Sequence, residues 1–500
     1  MCSVDPDEIT EMVHATGALD ISRGDVLCRK CGESAAEVVL RVKDAYCRLC
    51  FLSYFVHKFR STIGKSKQIH AGDRVLVATS GGASSTALLH MIREGLNENS
   101  HKKLRFDPAF LYIDESCISE NPSIGPDYVQ KICNTVISMG FQCYVTSLQE
   151  VMLPSACSPV LFTKEWSAAN LAINSSLTEK ICELLASCKS ISAQHDLHEQ
   201  LRHELIMQCA HDLSYKKVFL AHNSTKLSIS ILSLVAVGRG SQLPRKVHFR
   251  SLHHDVEVFR PMREILEPEV QHYIRFHNLT ELQAPTLKSK GPSIVSCTEE
   301  FVLGLQKEFP ATVPTIFRTG DKLVSTSSDC SKCSTPSLNG DDGCESEMDL
   351  SNASCALCCS PLDTGQSEAS AFYATVVSEK LSASTSVTHA FQETVTHRNM
   401  HINDEKCSPM LLGNLNKCCE ADLSHIATET LKCSQNPECC VGGKLQEITK
   451  EVMEQYLCYG CRIILREMDG VNHLPVKARA AAVKLERQKC MREQIQDFLI

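Results

Sequence analysis

Four cysteines near the start of the chain have the spacing of a zinc site. They form the pattern C-x2-C-x15-C-x2-C, in the order Cys28, Cys31, Cys47 and Cys50. Two short knuckles of this kind bring four thiolates to one tetrahedral Zn²⁺ ion. We therefore predict a structural zinc ion here, with four unrelated buried cysteines as the alternative.

The cysteine content as a whole favours metal ligation over disulfides. The chain has 28 cysteines among 500 residues, and its first twenty residues contain acidic side chains and no basic n-region. No secretory signal is therefore expected, and the predicted location is cytoplasmic. In that reducing compartment, closely spaced cysteines bind metal ions more often than they form disulfides.

Three further C-x2-C pairs occur later in the chain. They are Cys330/Cys333, Cys355/Cys358 and Cys458/Cys461. Any two of these pairs could supply the four ligands of a second zinc ribbon. Their spacing alone does not choose between them.

A glycine-containing loop follows a predicted strand. The apolar run 75–79 leads into Ser80-Gly81-Gly82 and then into a helical pattern from about residue 84. Glycines let the backbone approach a phosphate, and the free N–H groups of a helix N-terminus point at it. The loop is therefore a candidate anion site, with a tight turn that binds no ligand as the alternative.

Strands and helices alternate from about residue 70, which is typical of an α/β fold with a doubly wound parallel sheet. The predicted strands are 75–79, 109–113, 141–146, 217–221 and, as a further candidate, 257–261. The predicted helices span about 84–94, 126–138, 168–188, 196–212, 225–237, 267–277 and 476–499. In such a sheet, the loop after the first strand lies at the edge where ligands bind.

Composition divides the chain into five predicted parts. They are a flexible tail at 1–22, a zinc module at 23–62, an α/β domain at 63–325, a low-complexity insertion at 326–445 that carries part of a zinc ribbon, and the other ribbon half with a basic helix at 446–500. The insertion is rich in Ser, Thr, Asp and Asn without sustained periodicity, so much of it is predicted to be disordered. The longest apolar stretch, 229–237, is nine residues long, and a membrane-spanning helix requires roughly 20. No membrane span is expected.

Three segments together resemble the PP-loop nucleotide-binding family, whose members adenylate a carbonyl oxygen and release pyrophosphate. The segment 80–85 is similar to the family's SGGxDS loop, and Asp114-Glu115 and 220–223 are similar to its other nucleotide-side segments. The resemblance implies a degenerate nucleotide site made of Ser80, Gly81, Gly82, Ser84, Ser85, Asp114, His222 and Asn223. Zinc knuckles on both sides of the sheet narrow the resemblance to the tRNA-thiolating branch.

Within that branch the chain resembles the non-identical partner of a catalytic PP-loop subunit, over about 25–325 and the C-terminal CYGC sequence. The resemblance implies a heterodimer that places sulfur on the wobble uridine of lysine, glutamate and glutamine tRNAs. It also implies that the sulfur comes from the ubiquitin-related carrier of protein urmylation. Finally, it favours Cys355 and Cys358 with Cys458 and Cys461 as the second zinc site.

The acidic residues of active family members are missing. Ser84 stands where those members have Asp, and Thr225, Lys226 and Ile229 replace three acids. A Mg²⁺ ion prefers hard oxygen ligands, and a lysine offers none. ATP binding is therefore left open, and a catalytic role is not expected.

The iron–sulfur cluster of active thiolating relatives also has no counterpart here. Cys188 and Cys209 are single and far apart, and residues 210–296 contain no cysteine. We predict that both thiols lie in the core.

Two basic clusters could contact tRNA phosphates, although the net charge of the chain is −8. The candidate contacts in the first cluster are Arg41, Lys43, Lys58, Arg60, Lys65 and Lys67. Those in the second are Arg239, Arg245 and Lys246, within a segment that has no acidic residue from 238 to 251. An ordinary solvated loop is the alternative for the second cluster. The C-terminal basic helix could bind RNA or the partner.

We therefore predict a tRNA-binding and largely non-catalytic subunit of a tRNA sulfurtransferase. One rival is an autonomous adenylating PP-loop enzyme whose loop tolerates Ser84. The other is a zinc-dependent RNA-binding adaptor unrelated to thiolation.

Overall fold

The computed structural model describes residues 26–40, 44–98, 103–119, 125–154, 157–163, 165, 174–282, 291–323, 354–363 and 448–496. The predicted tail at 1–22 and most of the predicted insertion lie outside these residues. The predicted tRNA contacts Arg41 and Lys43 and the pair Cys330/Cys333 lie outside them as well.

The strands of the described residues form two sheets. They are β1 (Val38–Leu40), β2 (Asp44–Tyr46), β3 (Arg74–Thr79), β4 (Asp107–Asp114), β5 (Gln142–Ser147), β6 (Val160–Leu161), β7 (Lys217–Leu220), β8 (Arg250–His253) and β9 (Val256–Phe259). β1 and β2 form a small antiparallel sheet, and the other seven strands form the second sheet.

The large sheet has the order β6-β5-β4-β3-β7-β9-β8. Pairing is parallel from β5 to β9, and the edge strands β6 and β8 are antiparallel to their neighbours. In the centre, Leu76 of β3 pairs with Ala109 of β4 and Val218 of β7. Since β4 and β5 lie on one side of β3 and β7 on the other, the loops after β3 and β7 meet at a topological switch point. The predicted doubly wound α/β sheet is confirmed.

Helices cover the sheet on both sides. They are α1 (Arg48–Ser66), α2 (Ala83–Leu96), α3 (Gly125–Ser138), α4 (Ser175–Ala186), α5 (Ile191–Asp212), α6 (Ser224–Ala236), α7 (Leu243–Val247), α8 (Glu267–Phe276), α9 (Ile294–Glu308), α10 (Thr312–Asp321), α11 (Lys450–Gln455), α12 (Tyr459–Glu467) and α13 (Val476–Gln496). No described helix combines the length and the apolarity that a membrane span needs.

The helix α1 connects the N-terminal cysteines to the sheet. Phe51, Phe55 and Phe59 recur at a spacing of four and are buried in one of the two large apolar clusters. The ring of Phe55 stacks on Tyr273 of α8, with centroids 4.3 Å apart. Since α1 runs to Ser66, it crosses the predicted boundary at 62/63 and belongs to the α/β core as well as to the zinc module.

The second large cluster joins the C-terminal helices to the other face of the sheet. It contains residues of α5, α12 and α13, and the two thiols Cys188 and Cys209, which are 1% and 0% exposed. The prediction that these two cysteines are core residues is confirmed.

One edge of the sheet was not predicted from the sequence. The segment 238–251, for which a solvated loop was the alternative, contributes α7 and the start of β8. β8 has the sequence Arg-Ser-Leu-His, with a single apolar side chain, so no hydrophobic alternation indicates it.

Candidate functional site

The four N-terminal cysteines converge. Their sulfur atoms all lie within 4.8 Å of one another, and the Sγ atoms of Cys31 and Cys47 are 3.9 Å apart. Gly32 follows the first knuckle with φ +71° and donates its N–H to the Cys28 carbonyl at 2.7 Å. Burial opposes the thiolate charge, but backbone N–H groups, that of Cys31 foremost, lower the pKa of the Cys28 thiol to about 6. A lowered thiol pKa favours the thiolate, which is the form that binds a metal.

A second quartet combines Cys355 and Cys358 with Cys458 and Cys461. The four sulfur atoms lie within 4.8 Å of one another, and all four residues are buried. The Sγ atoms of Cys358 and Cys458 are 3.6 Å apart. Of the three pairs that spacing left open, the structure thus brings together the two that the resemblance favoured.

Two side chains from the α/β fold donate to the sulfur atoms of the second quartet. Arg239 Nη1 and Nη2 each lie 3.5 Å from Cys461 Sγ, and Gln242 Nε2 lies 3.2 Å from Cys458 Sγ. Such outer donors orient metal-bound thiolates and offset their negative charge. The donor set of each quartet fits a structural Zn²⁺ ion, and a closed four-thiolate site leaves no position for a substrate.

Gly460 lies where the side chain of Arg239 crosses α12. A Cβ atom at position 460 would be 2.5 Å from Arg239 Cγ and 2.9 Å from Arg239 Cζ. Arg239 is fully buried, and its Nε donates to Asp196 Oδ2 at 2.7 Å. The glycine of the CYGC sequence is therefore required by this close approach.

The loop Ser80-Gly81-Gly82 joins β3 to α2 at the switch point. Gly81 has φ +77°, and a Cβ atom there would lie 2.8 Å from Ile132 Cδ1. Tyr128 Oη donates to the Ser80 carbonyl at 3.1 Å, and the first turn of α2 has no side-chain cap. The loop thus has the backbone arrangement that an anion site needs.

Three polar side chains from different elements meet beside this loop. Asn223 Nδ2 donates to Ser84 Oγ at 2.8 Å and also hydrogen-bonds Oε2 of Glu267. The other carboxylate oxygen, Oε1, accepts from Gln271 Nε2 at 3.1 Å. Sequence reasoning missed Glu267, because it lies 44 residues beyond Asn223 and only the topology of the sheet brings the two together.

The residues that replace the family's acids have structural roles or face solvent. Thr225 is buried, and its Oγ1 accepts from the backbone N–H of Glu267 at 3.1 Å. Ile229 packs in an apolar cluster with Val302, whereas Lys226 is exposed. None of the three replacements offers a carboxylate to a Mg²⁺ ion.

The carboxylates at the C-terminal end of β4 are bonded to protein groups. Asp114 is buried and accepts from the backbone N–H and the hydroxyl of Ser116 at 3.1 and 2.8 Å; burial raises its pKa. Glu115 lies 3.3 Å from His198 Nε2 and 3.5 Å from Arg202 Nη1, two residues of α5 that the sequence did not indicate. Burial alone would raise the pKa of Glu115, but Arg202 and His198 outweigh it and lower that pKa.

The remaining residues of the predicted nucleotide site lie at the same edge of the sheet. Ser85 Oγ donates to the Gly82 carbonyl at 2.9 Å, and Ser80 is exposed. His222 follows β7 and is half-buried. Burial lowers the pKa of His222 well below its usual value, so its ring is neutral at pH 7.

The basic residues in α1 and at its C-terminal end differ in their exposure and in whether their charge is paired. Lys58 Nζ lies 2.9 Å from Oε2 of the buried Glu269 and 3.0 Å from Tyr54 Oη, so its charge is already paired. Lys65 and Lys67, at the C-terminal end of the helix, are exposed. Arg60 is half-buried.

The second basic cluster is mostly internal. Arg239 is 0% exposed and faces Asp196 and Cys461, so the prediction that it contacts tRNA is wrong for the described chain. Arg245 donates to the carbonyls of Cys359 and Leu252 at 3.0 and 2.7 Å. Lys246 is half-buried, and burial lowers its pKa to about 8.

Comparisons with known proteins decide the family. A family model described as Cytoplasmic tRNA 2-thiolation protein 2 matches residues 293–463, a span that includes all four cysteines of the second quartet. The protein of that name from Xenopus tropicalis is 31% identical to this chain, and the alignment covers 98% of each. The chain belongs to the cytoplasmic tRNA 2-thiolation protein 2 family. The human member is 27% identical over 95% of this chain and 93% of its own length. The resemblance predicted from the sequence is confirmed, and the family name agrees with the predicted cytoplasmic location.

Among solved structures, the U34-tRNA thiolase from Methanococcus maripaludis with its 4Fe–4S cluster is similar to this chain. The identity is 17% and the TM-score is 0.44, over 63% of this chain and 94% of that one. A similarity this weak supports no conclusion on activity, and the α/β assignment depends on the sheet topology described above.

Proposed function

We propose that this protein is a tRNA-binding, largely non-catalytic subunit of the cytosolic complex that thiolates tRNA. Its partner is the catalytic PP-loop subunit, cytoplasmic tRNA 2-thiolation protein 1, and the pair installs 2-thiouridine at the wobble position of lysine, glutamate and glutamine tRNAs. Sulfur comes from the ubiquitin-related carrier that also acts in protein urmylation. The name shared by the relatives supports the thiolation of tRNA.

The hydrogen bonds among Ser84, Asn223 and Glu267 carry the non-catalytic assignment. A triphosphate with Mg²⁺ needs free oxygen ligands at this edge of the sheet. The Glu267 carboxylate already accepts hydrogen bonds at both oxygens, from Asn223 and from Gln271. Without a metal ion between them, this carboxylate would repel the phosphates of ATP.

The exposed end of α1 is the proposed tRNA contact. Lys65 and Lys67 are both exposed, and Arg60, earlier on the same helix, is half-buried. Such residues bind the phosphate backbone electrostatically, without reading sequence. Lys58 is left out of this surface, because the Glu269 carboxylate neutralises its charge.

ATP–pyrophosphate exchange by the purified full-length chain, with and without tRNA, tests the non-catalytic role. We expect no exchange above the level of a no-protein blank, whereas the catalytic subunit exchanges under the same conditions. Robust exchange by this chain alone would contradict the proposal and support the autonomous enzyme.

Loss of the chain from its native source tests the thiolation role. We expect 2-thiouridine in the three tRNAs to disappear, and a tagged chain to co-purify with a catalytic PP-loop subunit. Unchanged 2-thiouridine, together with a pull-down that lacks such a subunit, would favour the RNA-binding adaptor.

A further inference from the structure

Two of the cysteine knuckles, 28–32 and 355–359, share one backbone turn but end it with different residues. In each knuckle the residue after the second cysteine has a positive φ, +71° for Gly32 and +54° for Cys359. Each donates its N–H to the carbonyl of the first cysteine, at 2.7 Å to Cys28 and 2.9 Å to Cys355. Glycine adopts this left-handed conformation readily, whereas a residue with a Cβ atom is strained by roughly 1–2 kcal/mol. The second knuckle therefore holds a cysteine side chain where its own geometry favours glycine.

The side chain of Cys359 meets a histidine and a carboxylate. Its Sγ atom lies 3.8 Å from Oε2 of Glu204 on α5. The same carboxylate oxygen lies 3.5 Å from Nε2 of His253, the last residue of β8. The ligand atoms of these three residues all lie within 4.8 Å of one another. Three elements far apart in the sequence thus place a thiol, an imidazole and a carboxylate at one point.

The imidazole of His253 has no ordinary hydrogen bond. The residue is 4% exposed, and neither ring nitrogen has a hydrogen-bond partner among the described residues. A buried polar group in this condition is costly unless something else satisfies it. Glu204, in contrast, is oriented by Gln208, whose Nε2 donates to Oε1 at 3.0 Å and leaves Oε2 facing the histidine and the thiol.

The spacing of these atoms fits a tetrahedral metal ion. With Zn–S, Zn–N and Zn–O bonds of roughly 2.3, 2.0 and 2.1 Å, tetrahedral angles place the ligand atoms about 3.4–3.6 Å apart. The observed separations are 3.5 Å between nitrogen and oxygen and 3.8 Å between sulfur and oxygen. A mixed sulfur, nitrogen and oxygen donor set suits Zn²⁺ better than hard cations such as Mg²⁺ or Ca²⁺.

We propose that Cys359, His253 and Glu204 bind a third metal ion of the zinc class, distinct from the ions of the two cysteine quartets. Three protein ligands leave the fourth position for water or a small ligand. Glu204 and Cys359 both line a cavity of about 450 Å³, which Lys477 and Lys484 of α13 also border. Two of the three proposed ligands are therefore accessible from this cavity.

The substitution Cys359→Gly tests the proposal without disturbing the knuckle. Glycine accepts the left-handed backbone, as Gly32 does in the first knuckle, so the variant should fold as well as the parent chain or better. Metal content of the full-length chain is measured after loading with zinc and gel filtration. Because the chain has further cysteines outside the described residues, the readout is the difference between variants.

We expect Cys359→Gly to bind one equivalent of zinc fewer than the parent chain, with an unchanged melting temperature or a higher one. His253→Phe should lose the same single equivalent. In Co²⁺-loaded protein, the variants should lose the absorption of one mixed thiolate–imidazole site and keep that of the tetrathiolate sites. The control is His254→Asn at the neighbouring exposed position, where φ is +53° and asparagine is tolerated. It should bind as much zinc as the parent.

Equal zinc in Cys359→Gly and the parent chain would overturn the proposal. Loss of the Co²⁺ absorption of a tetrathiolate site, with the mixed site kept, would also overturn it, because Cys359 would then support the neighbouring quartet rather than a site of its own. An equal loss in His254→Asn would show a general effect of this turn and would likewise contradict a third site.

Discussion

Replacing Gly460 by alanine should loosen the second cysteine quartet. The new Cβ atom would lie 2.5 Å from Arg239 Cγ and 2.9 Å from Arg239 Nε, so the arginine must move. Overpacking of this kind costs about 1–3 kcal/mol. If the Nε bond to Asp196 is also lost, a buried charge is left unpaired and the cost rises to about 3–5 kcal/mol.

The assay is the rate at which a chromogenic chelator removes zinc from the full-length chain. At about tenfold for each 1.4 kcal/mol, a loss of about 1–3 kcal/mol from the closed state should speed zinc release roughly 5- to 150-fold. The matched control is Gly304→Ala on α9, another helical glycine, where a Cβ atom would meet nothing within 4 Å. That change should leave the release rate unaltered and stabilise its helix by up to about 1 kcal/mol.

Equal release rates in Gly460→Ala and Gly304→Ala would refute this reasoning. The result would show that Arg239 can leave its place without cost, and that its contacts with Asp196 and Cys461 do not hold the quartet closed. A faster rate in both variants would point to helix effects unrelated to the arginine.

Four further predictions follow from the same structure. Cys47→Ser should bind one equivalent of zinc fewer by elemental analysis, and α1 should lose its protection from hydrogen exchange. The reason is that structural zinc contributes about 10–16 kcal/mol of apparent binding energy in small modules. Unchanged zinc content would exclude the first quartet as a zinc site. Deletion of residues 365–440 should leave zinc content and partner binding intact, because loop-closure entropy depends weakly on length; aggregation of the deletion protein would contradict this. Lys65→Glu with Lys67→Glu should weaken tRNA binding by the complex. The plot of log affinity against log salt should become less steep, its slope falling in magnitude by about 1.4–1.8. An unchanged slope would show that this end of α1 is not part of the tRNA-binding surface. Ser84→Asp should not produce pyrophosphate exchange, because the other acids stay absent; exchange by this variant would show that one carboxylate suffices.

Local sequence patterns were enough to predict the central strands of the sheet and the first quartet. Four of the five residues in 75–79 are apolar because β3 is covered on both faces, and the position of this run before Ser80-Gly81-Gly82 places the loop. The spacing of Cys28, Cys31, Cys47 and Cys50 needs no knowledge of the fold, since the two knuckles are 15 residues apart.

Groups brought together by the fold itself could not be predicted in this way. Arg239 belongs to a basic segment without acids, which is typical of a surface, yet its partners Asp196 and Cys461 lie 43 and 222 residues away. Glu267 begins α8 after a loop and meets Asn223 only because β9 adjoins β7 in the sheet. Sequence periodicity reports which face of an element is apolar, and it carries no information on which charged residues of distant elements become neighbours.

The second quartet also has a topological consequence for the chain. Its ligands fall into two groups about 100 residues apart, with the segment 364–447 between them. An ion bound to all four sulfurs would close that segment into a ring, as a disulfide does. A protease that cuts once within the segment would then yield two polypeptides that remain associated and elute together in gel filtration. Removing the ion would release this restraint. Comparing the nicked protein with and without the ion therefore measures how much the metal, rather than the peptide chain, holds α12 and α13 against the α/β core.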